Sequence, residues 1–259
     1  MPKAVKLAVA VSFALATGAC GTTDAPGPVA PSGAVGRIRL VNLITDATRG
    51  RVNASLENLV FTVDLNYAVS APANLPTPST APYASVLAGS RTFVLKRTAD
   101  TSVTVATLAF TIADGQERTM YAVGGASGSA ITGFVTTDTT TTTAGQTRIR
   151  IVQMSPTGNR LDIFITPPAA DLATATPTAA NLAYQGVSPY LTVPPGTYRL
   201  RAVPAGTAPA SRAASVVIDL NPVAPATPIT LAAGTVRTFV TADNTTGGAP
   251  LRAFVLNDR

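Results

Sequence analysis

The sequence contains no histidine and no tryptophan, and it has a single cysteine in 259 residues. Each absence removes a class of chemistry. Without histidine there is no Ser-His-Asp or Cys-His nucleophilic site, and the commonest neutral metal ligand is missing. One cysteine allows no intrachain disulfide and no thiolate zinc cluster. Charged side chains make up only 12% of the chain and aromatic ones only 5%, while mean hydropathy is +0.29. The apolar content is therefore mostly small, Ala and Val, so a core built from it is thin. The formal charge of +6 is not gathered into a patch. Its arginines stand singly or in alternating pairs, Arg37/Arg39, Arg148/Arg150 and Arg199/Arg201. Nucleic-acid binders cluster base on one face, often beside aromatic rings, and no nucleic-acid partner is expected here. Arginines alternating with apolar residues read as the solvent side of a strand.

The one cysteine has a telling position. Lys3 and Lys6 precede an apolar run, Leu7 to Ala19, that ends at Cys20. A basic start followed by a short apolar run is an export signal, and the run falls short of the about 20 residues a membrane-spanning helix needs. Small Gly18 and Ala19 before Cys20 resemble the bacterial lipoprotein signal, with Thr17 where an aliphatic residue is usual. The resemblance implies cleavage after residue 19, acylation of Cys20 and membrane attachment through that lipid. Gly21, in place of Asp, implies the outer membrane. Residues 20–35, rich in Pro, Gly and Thr, read as a tether.

The mature chain repeats itself. Gly36-Arg-Ile-Arg-Leu-Val-Asn42 matches Thr147-Arg-Ile-Arg-Ile-Val-Gln153, and Pro82-Tyr83 matches Pro189-Tyr190. Arg118-Thr119 matches Arg237-Thr238, and Phe134-Val135 with Asp138 matches Phe254-Val255 with Asp258. Four blocks in the same order predict two copies of one domain, residues 36–138 and 147–259. Between them lies residues 139–146, a Thr-rich linker. Within each copy the apolar period is two, as in Phe61, Val63, Leu65 and in Tyr198, Leu200, Ala202. Such runs, bounded by Gly and Pro turns, are strands. The expectation is an all-β chain, two tandem immunoglobulin-like sandwiches of about seven strands each. Ala169 to Ala183 is expected as a loop with one short turn, and Asn221 to Pro228 as a loop or an edge.

The stretch Arg148-Ile-Arg-Ile-Val-Gln-Met-Ser-Pro156, followed by Leu161-Asp-Ile-Phe-Ile165 and by Ser188 to Gly206, resembles the bacterial family known as domain of unknown function 4397. The resemblance runs over nearly all of residues 36–259 and is clearer in the second copy. It implies exported tandem domains and brings no activity with it. Where that family often has a histidine after the first strand, this chain has Gln153 to Thr157 in one copy and Asn42 to Thr45 in the other.

Remaining candidates for chemistry are few. Asp64 and Asp162 occupy corresponding strands of different copies and are expected on the surface. A paired-carboxylate hydrolase would need two such groups within about 5–10 Å. Gly124-Gly125-Ala126-Ser127-Gly128 lacks the Lys and Ser/Thr of a phosphate loop and reads as a hairpin loop, as does Asn244 to Gly248. Asp243 with Asn244, and Asn257 with Asp258, are the oxygen groups a calcium ion could use. No catalytic residue, metal ligand or cofactor is assigned, and Cys20 is the one assigned site. The functional expectation is a lipid-anchored, non-catalytic envelope module that binds an envelope polysaccharide or protein, or acts as a spacer. A carboxylate-dependent carbohydrate hydrolase and a solute-binding lipoprotein are the alternatives.

Overall fold

A computed structural model describes residues 33–72, 82–142, 144–220 and 229–259. Cys20, the signal, most of the tether, Thr143 and the segment Asn221 to Pro228 lie outside the described residues. The chain is all-β, with 18 strands and, among the described residues, only three short 3-10 turns.

The first half contains β1 (Val35–Ile44), β2 (Val52–Leu56), β3 (Leu59–Leu65), β4 (Ser70–Ala71), β5 (Ala84–Leu87), β6 (Gly89–Arg97), β7 (Asp100–Ile112), β8 (Glu117–Gly124) and β9 (Ile131–Asp138). The second half contains β10 (Thr147–Met154), β11 (Arg160–Thr166), β12 (Ala179–Ala183), β13 (Leu191–Val193), β14 (Gly196–Pro204), β15 (Ile218–Asp219), β16 (Ile229–Leu231), β17 (Val236–Ala242) and β18 (Arg252–Asn257). Each half therefore has nine described strands rather than seven. The extra ones are short, down to two residues in β4 and β15, too short for a period-two pattern to register. β12 closes the segment expected to be loop.

The two halves share one plan. In the first, one sheet runs β4-β1-β8-β9, with β5 also on β1, and the other runs β3-β2-β6-β7. In the second, β13-β10-β17-β18 faces β12-β11-β14-β15, with β16 on β14. β1 pairs in parallel with β8, Leu40 opposite Met120, and β10 pairs in parallel with β17, Ile151 opposite Phe239. The first and penultimate strands of each half are thus neighbours, and the rest of the half is their crossover. This order differs from the two antiparallel sheets of an immunoglobulin domain, so the sandwich expectation holds without that detail.

Three apolar layers explain why these strands are buried on both sides. Ile38 and Leu40 of β1 pack with Phe93, Leu95 and Phe110 in the first half. Phe93 meets Phe61 edge-on at 5.0 Å and Phe110 at 5.4 Å. Ile149, Ile163, Leu200 and Phe239 form the second core. Val41, Leu43, Tyr121, Val152, Met154 and Val240 form a third layer, contributed by both halves. It joins the outer face of the β1–β8 sheet to that of the β10–β17 sheet. The halves are therefore four stacked sheets, within one compact unit spanning Pro31–Arg259. A strand covered on both faces reads as a nearly continuous apolar run, as β1 does from Leu40 to Ile44 apart from Asn42. The Thr-rich run is tied to both halves. Thr140 Oγ1 donates to Glu117, and the Thr141 carbonyl accepts from Arg148 at 3.0 Å.

Candidate functional site

The alternating arginines do not all face solvent. Arg39 and Arg150 are each 1% exposed, and Arg201 is also buried. The strands alternate as expected, but for Arg39 and Arg150 the side opposite the core is covered by the other half of the chain, and for Arg201 by the connection after β11, where it donates to the Ala170 carbonyl. Arg37, one turn of the pleat away, stays exposed and pairs with Glu117.

Arg39 and Arg150 meet Asp138 and Asp258 in a closed network between the halves. Arg39 Nη2 donates to Asp258 at 2.7 Å, and its Nη1 donates to the Asn257 carbonyl at 2.9 Å. Arg150 mirrors this, pairing with Asp138 and donating to the Thr137 carbonyl at 2.8 Å. Each arginine thus crosses to the acid of the other half. Each also donates Nε to the threonine of its own parallel neighbour, Thr119 at 3.1 Å and Thr238 at 2.8 Å. Thr119 then donates to Asp138 and Thr238 to Asp258. Tyr83 lies over Arg39 at 4.6 Å and donates to Asp138 at 2.8 Å. Tyr190 lies over Arg150 at 4.8 Å and donates to Asp258 at 3.3 Å. The pattern has a pseudo-two-fold axis, with two cations and two anions. Burial by itself would lower the pKa of either arginine, but the facing acids outweigh it and hold both above the ordinary value. Burial pushes the Tyr83, Tyr121 and Tyr190 hydroxyls well above 10.

Nearly every side chain in this network belongs to the matched blocks of the repeat. In the sequence Arg39/Arg150, Tyr83/Tyr190, Thr119/Thr238 and Asp138/Asp258 stand as repeat markers, with nothing in their spacing to show that they converge. The signal was present, since polar residues kept in register with strand cores are the ones a buried contact would need.

The other candidates are placed as follows. Asp162 is 7% exposed, not on the surface as expected, because its oxygens accept the Asn181 and Gly206 amides at 2.8 and 3.2 Å. Asp64 is partly exposed and pairs with Arg51. The two acids stand in separate sandwiches, each engaged locally. Asp243 accepts from Ser155, from the Thr157 hydroxyl at 2.7 Å and from the Gly248 amide at 2.8 Å. Asn244 caps its own turn through the Thr246 amide at 2.8 Å. The suggested calcium oxygens are thus occupied by donors of the chain itself. Residues 124–128 join the antiparallel pair β8 and β9, and residues 244–248 join β17 and β18, both as hairpin loops.

A groove of about 920 Å³ lies in the second half. It runs between the β10–β11 turn, the end of β14 and the loop before β18, with Arg160 on its wall.

Residues 36–164 match the family model described as Domain of unknown function (DUF4397). The match takes in the whole first half and runs on through β10 into β11. No curated protein matches. Among solved structures, a leucine-rich repeat protein from Bacteroides thetaiotaomicron is similar over 79% of this chain at 11% identity, with a TM-score of 0.18. The aligned part is 25% of that protein, and a likeness at this level carries no argument. The characterised likeness is therefore to the family domain of residues 36–164.

Proposed function

We propose that this chain is a lipid-anchored, non-catalytic module of a bacterial cell envelope. In this reading the signal ends before Cys20, whose acyl chains hold the protein at the outer membrane. Residues 20–35 space the folded body from the bilayer, and the second half is another copy of the family domain matched by residues 36–164. The body binds an envelope component as one rigid head.

The observation that carries the reading is the buried network joining the halves. Asp138 and Asp258 are engaged by Arg39, Arg150, three threonines and two tyrosines. Such a cluster fixes orientation. Two flexibly linked domains gain avidity through an effective concentration, whereas two locked ones present a fixed spacing to a repetitive ligand.

Co-sedimentation of the compact unit Pro31–Arg259 with peptidoglycan, outer-membrane vesicles and extracellular polysaccharide tests the binding. Selective, saturable pelleting with one fraction is expected, and pelleting with none would sink it. Incorporation of a fatty-acid label into the full chain, lost in Cys20→Ser, tests the anchor.

A further inference from the structure

The two halves carry one matching corner, and they fill it differently. In the first half Arg51 faces Asp64, with Nε donating to Oδ1 at 2.8 Å, and the Asp64 amide donates to Asn53 at 2.8 Å. In the second half the Asn181 amide donates to Asp162 at 2.8 Å, and Arg160 Nη1 donates to Asn181 Oδ1 at 3.3 Å. Asp64 and Asn181 even share a left-handed backbone, φ +52° and +51°, and a register irregularity lies beside both. Acid and amide have been exchanged between the two positions. Arg51 is neutralised within its own sheet. Arg160 is exposed and, among the described residues, forms no ion pair.

That unneutralised guanidinium opens onto the 920 Å³ groove and is, among the described residues, its only charged lining residue. Asn159 and Asn181 add amide groups, while Leu161, Val217 and Leu251 give it an aliphatic wall. Val217 is 37% exposed. Among the described residues the lining holds no aromatic ring on which a sugar could stack. The volume suits a ligand of several residues.

We propose that this groove binds an extended peptide carrying a carboxylate beside small aliphatic side chains, with the carboxylate on Arg160. The guanidinium fork matches a carboxylate in two parallel hydrogen bonds, the asparagines suit a peptide backbone, and the aliphatic wall takes methyl-sized side chains. The proposal rests on the binding-module reading and names its site.

The test is titration of Pro31–Arg259, the compact unit that holds all three apolar layers, with acetyl-Ala-Val-Glu-Ala-amide. Saturable binding is expected, about tenfold weaker for the Gln peptide and for the R160Q protein, and unchanged for R51Q. Asn181→Asp rebuilds the internal pair of the first half, so it should weaken binding as much while leaving the fold intact. No saturable binding, binding by R160Q and N181D as tight as by the unaltered protein, or tighter binding of trigalacturonate would overturn the proposal. Undiminished pelleting of R160Q with an envelope fraction would overturn the groove alone and leave the binding module standing.

Discussion

The halves of this chain have the same strand order, the same parallel central pair and the same arginine at the join, yet they differ at their outer corners. In the first half the arginine at the start of β2 is answered locally, Arg51 by Asp64. The exposed apolar residues there, Leu59 at 75% and Val60 at 77%, sit on an edge strand. In the second half the outer sheet is roofed by its own connections. Phe164, Leu172 and Val203 form a small cluster, Arg212 lies over Phe164 at 5.1 Å, and Arg201 donates to the Ala170 carbonyl at 2.7 Å. What is shared is what holds the halves together. What differs faces outward, where a duplicated fold can change without disturbing its partner.

The sharpest way to break the shared part is to unbalance the network. Asp138→Asn leaves Arg150 buried without its anion, and removing one partner of a buried pair costs about 3–5 kcal/mol. Asp258→Asn takes from Arg39 its nearer anion, at 2.7 Å, and leaves it Asp138 at 3.6 Å. The pseudo-symmetry predicts losses of similar size, with Asp138 the larger because it also accepts from Thr136 at 2.8 Å and from Tyr83. Urea unfolding of the two variants checks this. A large effect from one and none from the other would show that the two-fold arrangement is only geometric.

Alkaline pH probes the same layer from the tyrosine side. Burial raises the Tyr83 and Tyr121 hydroxyls above 10 in the folded chain. Unfolded, the same groups release their protons near pH 10. Above that pH the unfolded state binds fewer protons than the folded one, so stability, complete below pH 10, falls as pH rises. The slope approaches about 1.4 kcal/mol per pH unit for each such group. The urea midpoint at pH 8 and at pH 11 measures it. Tyr121 is where the symmetry lapses, since Val240 holds its place opposite Val152. Its hydroxyl is buried with no hydrogen-bond partner. Tyr121→Phe should therefore leave stability at pH 8 unchanged or raised, and it should flatten the alkaline slope. Tyr83→Phe, which loses a bond to Asp138, should cost about 1–2 kcal/mol at pH 8.

How much of this could be read from the residues varies with the layer. Period-two runs such as Phe61, Val63 and Leu65 declared strands, and the turn residues at 124–128 and 244–248 declared hairpins. The four matched blocks declared a repeated pattern. The parallel pairing of β1 with β8 and of β10 with β17 was not legible, because alternation says which face a residue takes but not which strand lies beside it. The burial of Arg39 and Arg150 was not legible for a related reason. A polar face looks the same whether water or another polar face covers it, and only the third layer of Val41, Tyr121, Val152 and Val240 decides between them. Asp162 misled in the same way, since a strand pattern gives no warning that two backbone amides converge on one carboxylate.

The smallest effect concerns the corner where the halves part. Arg51 and Asp64 are well exposed, with side-chain accessibilities of 63% and 40%, so solvent screens their pairing and it contributes little to stability. Asp64→Asn should then change thermal stability hardly at all. It would nonetheless leave Arg51 with an amide in place of its acid, as Arg160 stands beside Asn181. If a free guanidinium were sufficient for carboxylate binding, D64N would acquire affinity for the acidic peptide at the first half. The first-half corner lacks the large groove: the cavity beside it measures about 310 Å³ and includes Asn53, Val60 and Lys96. The expectation is accordingly that D64N gains no measurable second site by titration. A second site of equal strength would move the specificity from the shape of the second half to the single charge on Arg160.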